Sequence, residues 1–171
     1  MERMKRICVL GLGNLMRVDD AAGMMAVRAL AAEYGAEGEV AFVEGGTLGL
    51  DLMHALTGVT HLLALDAVDV GGEPGTLVRF GKDELGRIPV GKSAHLLGFS
   101  DLMGVLKLMG DEPEEIVLLG VQPERIDWGT ELTDTVQRAM PAWLAECRRQ
   151  LDAWGVGAGR GSDVVGVSAD A

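Results

Sequence analysis

The sequence predicts an α/β fold, namely a single three-layer α/β/α domain with a twisted, mostly parallel sheet of about five strands. Short runs rich in Val, Leu and Ile alternate with segments of helical periodicity, which is typical of parallel sheets covered by helices on both faces. The chain has 171 residues, of which 48% are hydrophobic. That is enough for one domain with a core and too little for two.

The strands and helices are expected to alternate along residues 1–154, which we predict to form the domain. We expect strands at 7–12, 40–43, 61–66, 76–80 and 116–121. We expect helices at 21–34, 48–56, 100–109 and 133–154. From residue 155 to 171 the composition changes to Gly, Ser, Ala and Asp with isolated valines, and this tail is expected to be disordered.

The first and last helices carry the clearest end signals. Apolar residues recur at helical spacing up to Tyr34, and Gly35 follows as the residue that ends the first helix. Asp19 precedes that helix and is expected to cap it. Pro141 lies inside the last helical segment, so we expect a kink or a break there, with the option of a second helix that begins at Pro141.

Charge and composition exclude several classes of protein. The formal net charge is −11, which disfavours nucleic acid as a partner because binding to phosphates depends on Lys and Arg. Cys8 and Cys147 lack the number and spacing of a disulfide framework or a zinc site. No apolar run approaches the ~20 residues of a membrane span. We therefore expect a soluble, cytoplasmic protein with reduced thiols and no contact with membranes.

The most informative motif follows the first predicted strand directly. Two glycines, Asn14 and two carboxylates crowd the sequence Gly11-Leu-Gly-Asn-Leu-Met-Arg-Val-Asp-Asp20. In open α/β sheets the crevice beyond the carboxyl ends of the strands is the usual site of chemistry. The glycines also match the start of a dinucleotide-binding loop, but its third glycine would fall at Met16 and no acidic residue follows at the expected distance. We regard the nucleotide hypothesis as the weaker one, and a thermal-shift titration with nucleotides would test it.

Three side chains near strand ends are candidates for metal ligands, and each has a simpler alternative. Asp20 could be only a carboxylate stabilised by the dipole of the first helix. Asp66 ends a buried strand, where an unpaired carboxylate is costly, so a role beyond packing is favoured. His95 lies in the loop that we predict before a helix, and a lone histidine there is more often exposed or hydrogen-bonded than a ligand. His54 and His61 should not reach the crevice.

Together, Asp20, Asp66 and His95 would form a divalent-metal site with oxygen and nitrogen ligands and open positions. The ligand types do not select one metal, because imidazole suits Zn, Ni, Cu and Fe. No arrangement for a serine or cysteine nucleophile is evident, and Cys8 inside a strand is a poor candidate. Serine and cysteine protease chemistry is therefore excluded.

From about Ile7 to Trp154 the chain resembles the nickel–iron hydrogenase maturation proteases. Its motifs occur in the order of that family: Gly11-x-Gly-Asn-x4-Asp-Asp-x2-Gly23, Glu44-Gly-Gly-Thr47, Leu65-Asp-Ala67, Pro74-Gly75, Ser93-Ala-His95 and Gly120-Val-Gln-Pro123. Asp20 stands where many relatives have Glu, which keeps the charge and shortens the reach. Glu44 stands where the family usually has Asp, and its role here is open.

The resemblance implies a hydrogenase maturation endopeptidase. Such an enzyme removes the C-terminal extension from the hydrogenase large-subunit precursor after nickel insertion. It implies Asp20, Asp66 and His95 as the residues that contact nickel, with Asp20 or Asp66 as candidates to activate water. The metal would be recognised in the precursor and need not be present in the isolated protein, which we expect to be a monomer. The alternative is a metal-binding maturation chaperone without proteolytic activity.

Overall fold

The structure, a computed structural model, describes residues 2–35, 38–47, 49–89 and 93–157 and has the predicted α/β architecture. Its five-stranded sheet has the order β2-β1-β3-β5-β4. All neighbours pair in parallel except β4, which is antiparallel to β5. The strands are β1 (Ile7–Leu12), β2 (Val40–Gly46), β3 (His61–Ala67), β4 (Leu77–Gly81) and β5 (Glu115–Val121).

Helices connect the strands and cover the sheet. The α-helices are α1 (Ala22–Tyr34), α2 (Met53–Leu56), α3 (Ala94–Leu108) and α4 (Asp134–Ala153). Short 3-10 turns lie at Val18–Ala21, Leu50–Leu52 and Lys82–Arg87. Within the described ranges, no helix combines the length and the apolar character that a membrane crossing requires.

Two separate hydrophobic clusters fill the space between the sheet and its helices. Alternate residues of a strand point to opposite faces, so Val9 packs with α1 and α4, and its neighbour Leu10 packs with α2 and α3. The first cluster is centred on residues such as Val27, Leu65 and Trp143. The sheet is therefore the middle layer of three, as the continuous apolar strands predict.

The chain order places a crevice between β1 and β3. In the sheet, β2 lies on one side of β1 and β3 lies on the other side. The connections thus diverge at the carboxyl ends of β1 and β3, which is where open α/β sheets bind their ligands. Asp20 follows β1 and Asp66 is the penultimate residue of β3, so both carboxylates belong to this crevice.

Two glycines allow the turn from β1 into α1 to pack this closely. Gly13 has a φ of +125°, and a Cβ built there would lie 1.9 Å from the carbonyl oxygen of Asp20. A Cβ at Gly23 would lie 2.3 Å from the carbonyl oxygen of Leu65 in β3. Any larger side chain would push the Asp20 turn away from β3. The glycines of the motif thus serve the tight turn that the sequence predicts.

The helix predictions need two corrections. First, α3 begins at Ala94 and not near residue 100, because the side chain of Ser93 accepts a hydrogen bond from the Leu96 N–H and caps the helix. Second, α4 runs unbroken from Asp134 to Ala153 through Pro141. Its apolar face continues on both sides of the proline, with Val136 and Trp143 in the same cluster, and this packing overrides the local signal for a break.

The other sequence predictions concern the helix at 48–56, the end of α1 and the C-terminal tail. The helix expected at 48–56 is a 3-10 turn at Leu50–Leu52 followed by α2, and residue 48 lies outside the described residues. Gly35 ends α1 with a φ of +79°, as predicted. Residues 158–171 of the predicted tail also lie outside the described part of the chain, so its disorder stays a prediction.

Candidate metal centre and active site

Asp20 is held at the crevice by the 3-10 turn that precedes α1. Its side chain is only 9% exposed. One carboxylate oxygen, Oδ2, accepts a hydrogen bond of 3.1 Å from the backbone N–H of Asn14. The other oxygen, Oδ1, faces away toward α3. The asparagine of the glycine motif thus orients the carboxylate through its backbone.

Asp66 is the most deeply buried charged group of the site. Its side chain has no solvent exposure, since it sits in β3 opposite Gly120 of β5. Neither carboxylate oxygen has a partner with hydrogen-bond geometry among the described residues. Burial raises the pKa of this carboxyl to about 6, although His95 nearby opposes the rise. A buried carboxylate that no neutral group satisfies is suited to a cation.

His95 lies between the two carboxylates, in the first turn of α3. Its Nε2 is 2.8 Å from Asp20 Oδ1, and its Nδ1 is 2.9 Å from Asp66 Oδ2. The hydroxyl of Ser93 lies 3.1 Å from each ring nitrogen. Burial lowers the pKa of His95, but its contacts with Asp20 and Asp66 outweigh burial and raise the pKa to about 10. In the free protein the imidazole is therefore a cation between two anions.

The three groups form a compact set of possible metal ligands. One ligand atom from each of Asp20, Asp66 and His95 lies within 4.8 Å of the others, and all three residues are buried. Two carboxylates and one imidazole match the ligand preferences of several divalent transition metals. In the free protein the protonated imidazole supplies the positive charge that a metal would otherwise supply. The arrangement can thus exchange a proton for a metal ion.

Comparison with known proteins assigns the chain to a family. Residues 24–150 match a family model described as "Hydrogenase maturation protease". The chain belongs to the hydrogenase maturation protease family. The matched range includes Asp66 and His95 and begins after Asp20. The resemblance stated from the sequence motifs, and the prediction of a maturation endopeptidase, are confirmed.

Individual relatives of this protease agree with the assignment. It is 37% identical over 154 residues to the hydrogenase expression/formation protein HupD of Rhizobium leguminosarum bv. viciae, covering 88% of this chain and 76% of that protein. It is 34% identical to the hydrogenase 2 maturation protease of Escherichia coli, covering 88% and 93%. Among solved structures, the E. coli hydrogenase maturating endopeptidase HybD aligns with a TM-score of 0.85 at 32% identity, covering 89% and 95%.

The other two histidines and the two cysteines of the protease lie outside this cluster. His54 is in α2, and His61 begins β3 at the end opposite Asp66, as the sequence predicts. Burial raises the pKa of both Cys8 and Cys147 to about 12. Their thiols are therefore neutral near pH 7 and are not nucleophiles, in line with the exclusion of cysteine protease chemistry.

Asp19 has a different role from the one that the sequence predicts. It does not cap α1, since neither the 3-10 turn nor α1 has a side-chain cap. Its fully buried carboxylate accepts hydrogen bonds from the backbone of Glu124, Arg125 and Thr133 and from the Thr133 hydroxyl. These donors come from the segment between β5 and α4, more than 100 residues away. No local signal in the sequence could have indicated that contact.

Gln122 is a second buried group whose role the sequence did not indicate. Its side-chain oxygen accepts hydrogen bonds from the backbone N–H groups of Val70 and Gly72, and its amide nitrogen donates to Asp69. Gln122 thereby fixes the loop that follows β3, the strand that ends one residue after Asp66. This loop is the physical reason for the glutamine in the motif Gly120-Val-Gln-Pro123.

His95 also differs from its prediction in one respect. It lies inside the first turn of α3 and not in a loop before the helix, because Ser93 caps the helix earlier than expected. The simpler alternative of an exposed histidine is wrong, since its side chain is 7% exposed and contacts both carboxylates.

Proposed function

We propose that this protease removes the C-terminal extension of a nickel–iron hydrogenase large-subunit precursor after nickel insertion. Its family membership supports the hydrolysis of a maturation substrate. The observation that carries the nickel part of the proposal is the buried cluster of Asp20, Asp66 and His95, in which both carboxylates lie within 2.9 Å of the imidazole. We further propose that the protein acts as a monomer in the cytoplasm, where its buried thiols would stay reduced.

Nickel enters this proposal as part of the substrate. The negative charges of Asp20 and Asp66 offset those of a divalent ion, and the neutral imidazole of His95 is a suitable third ligand. Three protein ligands leave coordination positions for groups of the precursor. Shared coordination would place the scissile peptide bond at a defined distance from the two carboxylates. Nickel loading would then be a condition for cleavage.

The residues of the protease have distinct tasks in this scheme. His95 has to lose its proton before it can bind a metal, because only the neutral imidazole has a free lone pair. We assign the catalytic role to Asp20 and Asp66. The carboxylate of Asp66, whose pKa burial raises to about 6, can accept a proton from the attacking water near neutral pH. Protonation of the leaving amine would then return this proton and complete the cleavage.

The alternative function is a metal-binding maturation chaperone with the same three residues. Membership of a protease family favours hydrolysis. The deciding experiment incubates the protein with nickel-loaded and nickel-free precursor and measures the precursor mass. We expect the loaded precursor to lose a C-terminal peptide and the nickel-free precursor to stay intact. Equal cleavage of both would contradict nickel dependence, and no cleavage of either would favour the chaperone.

A further inference from the structure

An exposed apolar surface with one positive charge adjoins the Asp20 turn. Met16 is 53% exposed, Ile126 is 40% exposed and Trp128 is 75% exposed. The guanidinium of Arg17 lies 6.0 Å from the centre of the Trp128 ring. We call the surface of Met16, Arg17, Ile126 and Trp128 the tip patch. Large apolar side chains in such exposed positions contribute nothing to the core, which suggests a role in binding.

The tip patch is rigidly built although it is exposed. Its two loops are joined by hydrogen bonds from Val18 N–H to the Gly129 carbonyl and from Gly129 N–H to the Met16 carbonyl, each 3.0 Å long. The buried carboxylate of Asp19, in the first loop, accepts hydrogen bonds from the backbone N–H groups of Arg125 and Thr133 in the second loop. Val18 has a φ of +50°, which is rare for a β-branched residue. Strained backbone that surrounding contacts hold in place often marks a functional segment.

The position of the tip patch connects it with the metal centre. The backbone N–H of Asp20 donates to the carbonyl of Arg17, so the patch and the metal-facing carboxylate share one turn. A substrate whose scissile bond reaches Asp20 would therefore pass next to the patch. A second exposed apolar surface, which includes Leu108 near the end of α3, has no such connection to Asp20.

Arg17 gives the tip patch a positive charge, although exposed Asp127 lies between Ile126 and Trp128. The chain has a net charge of −11, yet among the described residues no carboxylate lies within ion-pair distance of Arg17. Trp and Arg are the residues most enriched among those that dominate binding energy at protein interfaces. A tryptophan ring with a guanidinium 6.0 Å from its centre matches a ligand segment that has an apolar side chain next to an acidic one.

We propose that the tip patch docks the segment of the large-subunit precursor that flanks the scissile bond, and that this segment combines apolar and acidic side chains. The inference rests on the proposed function, because it takes the precursor as the substrate. The patch would hold the chain before and during cleavage. It would not contact the metal, so its loss should weaken precursor binding and leave metal binding intact.

The test compares the kinetics of four variants with the wild type on nickel-loaded precursor. Trp128→Ala should lower kcat/KM by about tenfold or more, mainly through KM. Arg17→Glu should have a similar effect that weakens at high salt. The matched controls are Leu108→Ala, an exposed apolar residue on α3, and Arg87→Glu, an exposed residue after β4 with the same change of charge. Both controls should stay within about twofold of the wild type.

Two further measurements make the outcome decisive. The melting temperature and the affinity for Ni²⁺ alone should be the same for Trp128→Ala and the wild type. If the wild type cleaves the precursor and Trp128→Ala matches Leu108→Ala, the docking proposal is wrong. If Trp128→Ala instead converts a dimer into a monomer without a change in KM, the patch binds a second copy and the proposal is also wrong. Failure of the wild type to cleave loaded precursor would overturn the proposed function itself.

Discussion

The two ends of the sheet each place a histidine beside a carboxylate, but with different surroundings. At the carboxyl end, His95 is 7% exposed and lies within 2.9 Å of two buried carboxylates. At the amino end, His61 is 15% exposed and lies 3.8 Å from Glu115, which is 57% exposed. Glu115 also accepts a hydrogen bond of 2.7 Å from the indole of Trp154. Among the described residues, Asp66 has no comparable neutral donor.

Both ends combine a histidine with a carboxylate, but only the surroundings at the carboxyl end are suited to a cation. At the amino end, water and a neutral N–H satisfy the carboxylate, so a cation has little to add. At the carboxyl end, burial removes water and no neutral group among the described residues donates to Asp66, so a positive charge has to compensate. Protonated His95 provides that charge in the free protein. The predictions below test whether this difference in surroundings is the basis of activity.

The largest effect is expected from alanine substitution of Asp66 or His95 at the carboxyl end of the sheet. Asp66→Ala or His95→Ala should lower the rate of precursor processing by about a thousandfold, because in the proposed mechanism each of these groups contacts the metal and orients the reaction. His61→Ala and His54→Ala should process normally. Mass spectrometry of the precursor over time measures all four. An active His95→Ala together with an inactive His61→Ala would show that the active site lies at the amino end of the sheet and would contradict our assignment.

The second effect concerns stability and the buried carboxylate that adjoins the site. Asp19→Ala removes an acceptor that three backbone N–H groups and one hydroxyl share, and it should lower the free energy of unfolding by about 3 kcal/mol or more. Urea denaturation followed by circular dichroism measures the change. A matched substitution of an exposed acid, Asp101→Ala, should change it by less than about 0.5 kcal/mol. If Asp19→Ala also lowers the free energy of unfolding by less than about 0.5 kcal/mol, the hydrogen bonds of Asp19 do not stabilise the segment between β5 and α4.

The third effect is a pH dependence that separates the two histidines. The pKa of His95 is raised to about 10, so below that pH its proton has to leave before a metal can bind. The affinity for Ni²⁺ should therefore rise with pH, by up to about tenfold per unit between pH 7 and 9. Calorimetry in two buffers of different ionisation enthalpy should show that about one proton is released per metal ion.

The controls for this measurement are variants of both histidines. His61→Ala should release the proton as the wild type does, whereas His95→Gln should release none and bind Ni²⁺ more weakly. Processing should follow the same trend, and added nickel should shift the loss of activity to lower pH because protons and metal compete for one nitrogen. If neither affinity nor processing responds in this way, His95 is an acid–base or hydrogen-bonding residue and not a ligand.

The smallest effect is expected from the carboxylate at the amino end. Glu115→Gln keeps an oxygen that can accept from the Trp154 indole and removes only an exposed charge. It should change the free energy of unfolding by less than about 0.5 kcal/mol and leave processing unchanged. Thermal unfolding monitored by Trp fluorescence tests the first part. A loss of processing would show that the amino end also contributes to function.

Much of this protein follows from local patterns in its sequence. The apolar strands, the glycine turn before α1 and the end of α1 at Gly35 all depend on neighbours close in the chain, so they could be predicted. The candidate ligands Asp20, Asp66 and His95 could also be chosen in advance. Parallel strands of an α/β sheet end at a common edge, and polar residues near those ends, here Asp20 and Asp66, stand out against the apolar runs that precede them. His95 follows the antiparallel strand β4, so this reasoning does not apply to it.

Only the tertiary structure decided how these residues are paired. The start of α3, which places His95 between two carboxylates, depends on a hydrogen bond at Ser93 that a weak helical pattern does not reveal. Asp19 anchors a segment more than 100 residues away, and α4 stays continuous because the core packs on both sides of Pro141. The physical reason is that hydrogen bonds and packing between distant segments outweigh local preferences, and such contacts are not encoded in any short stretch of sequence.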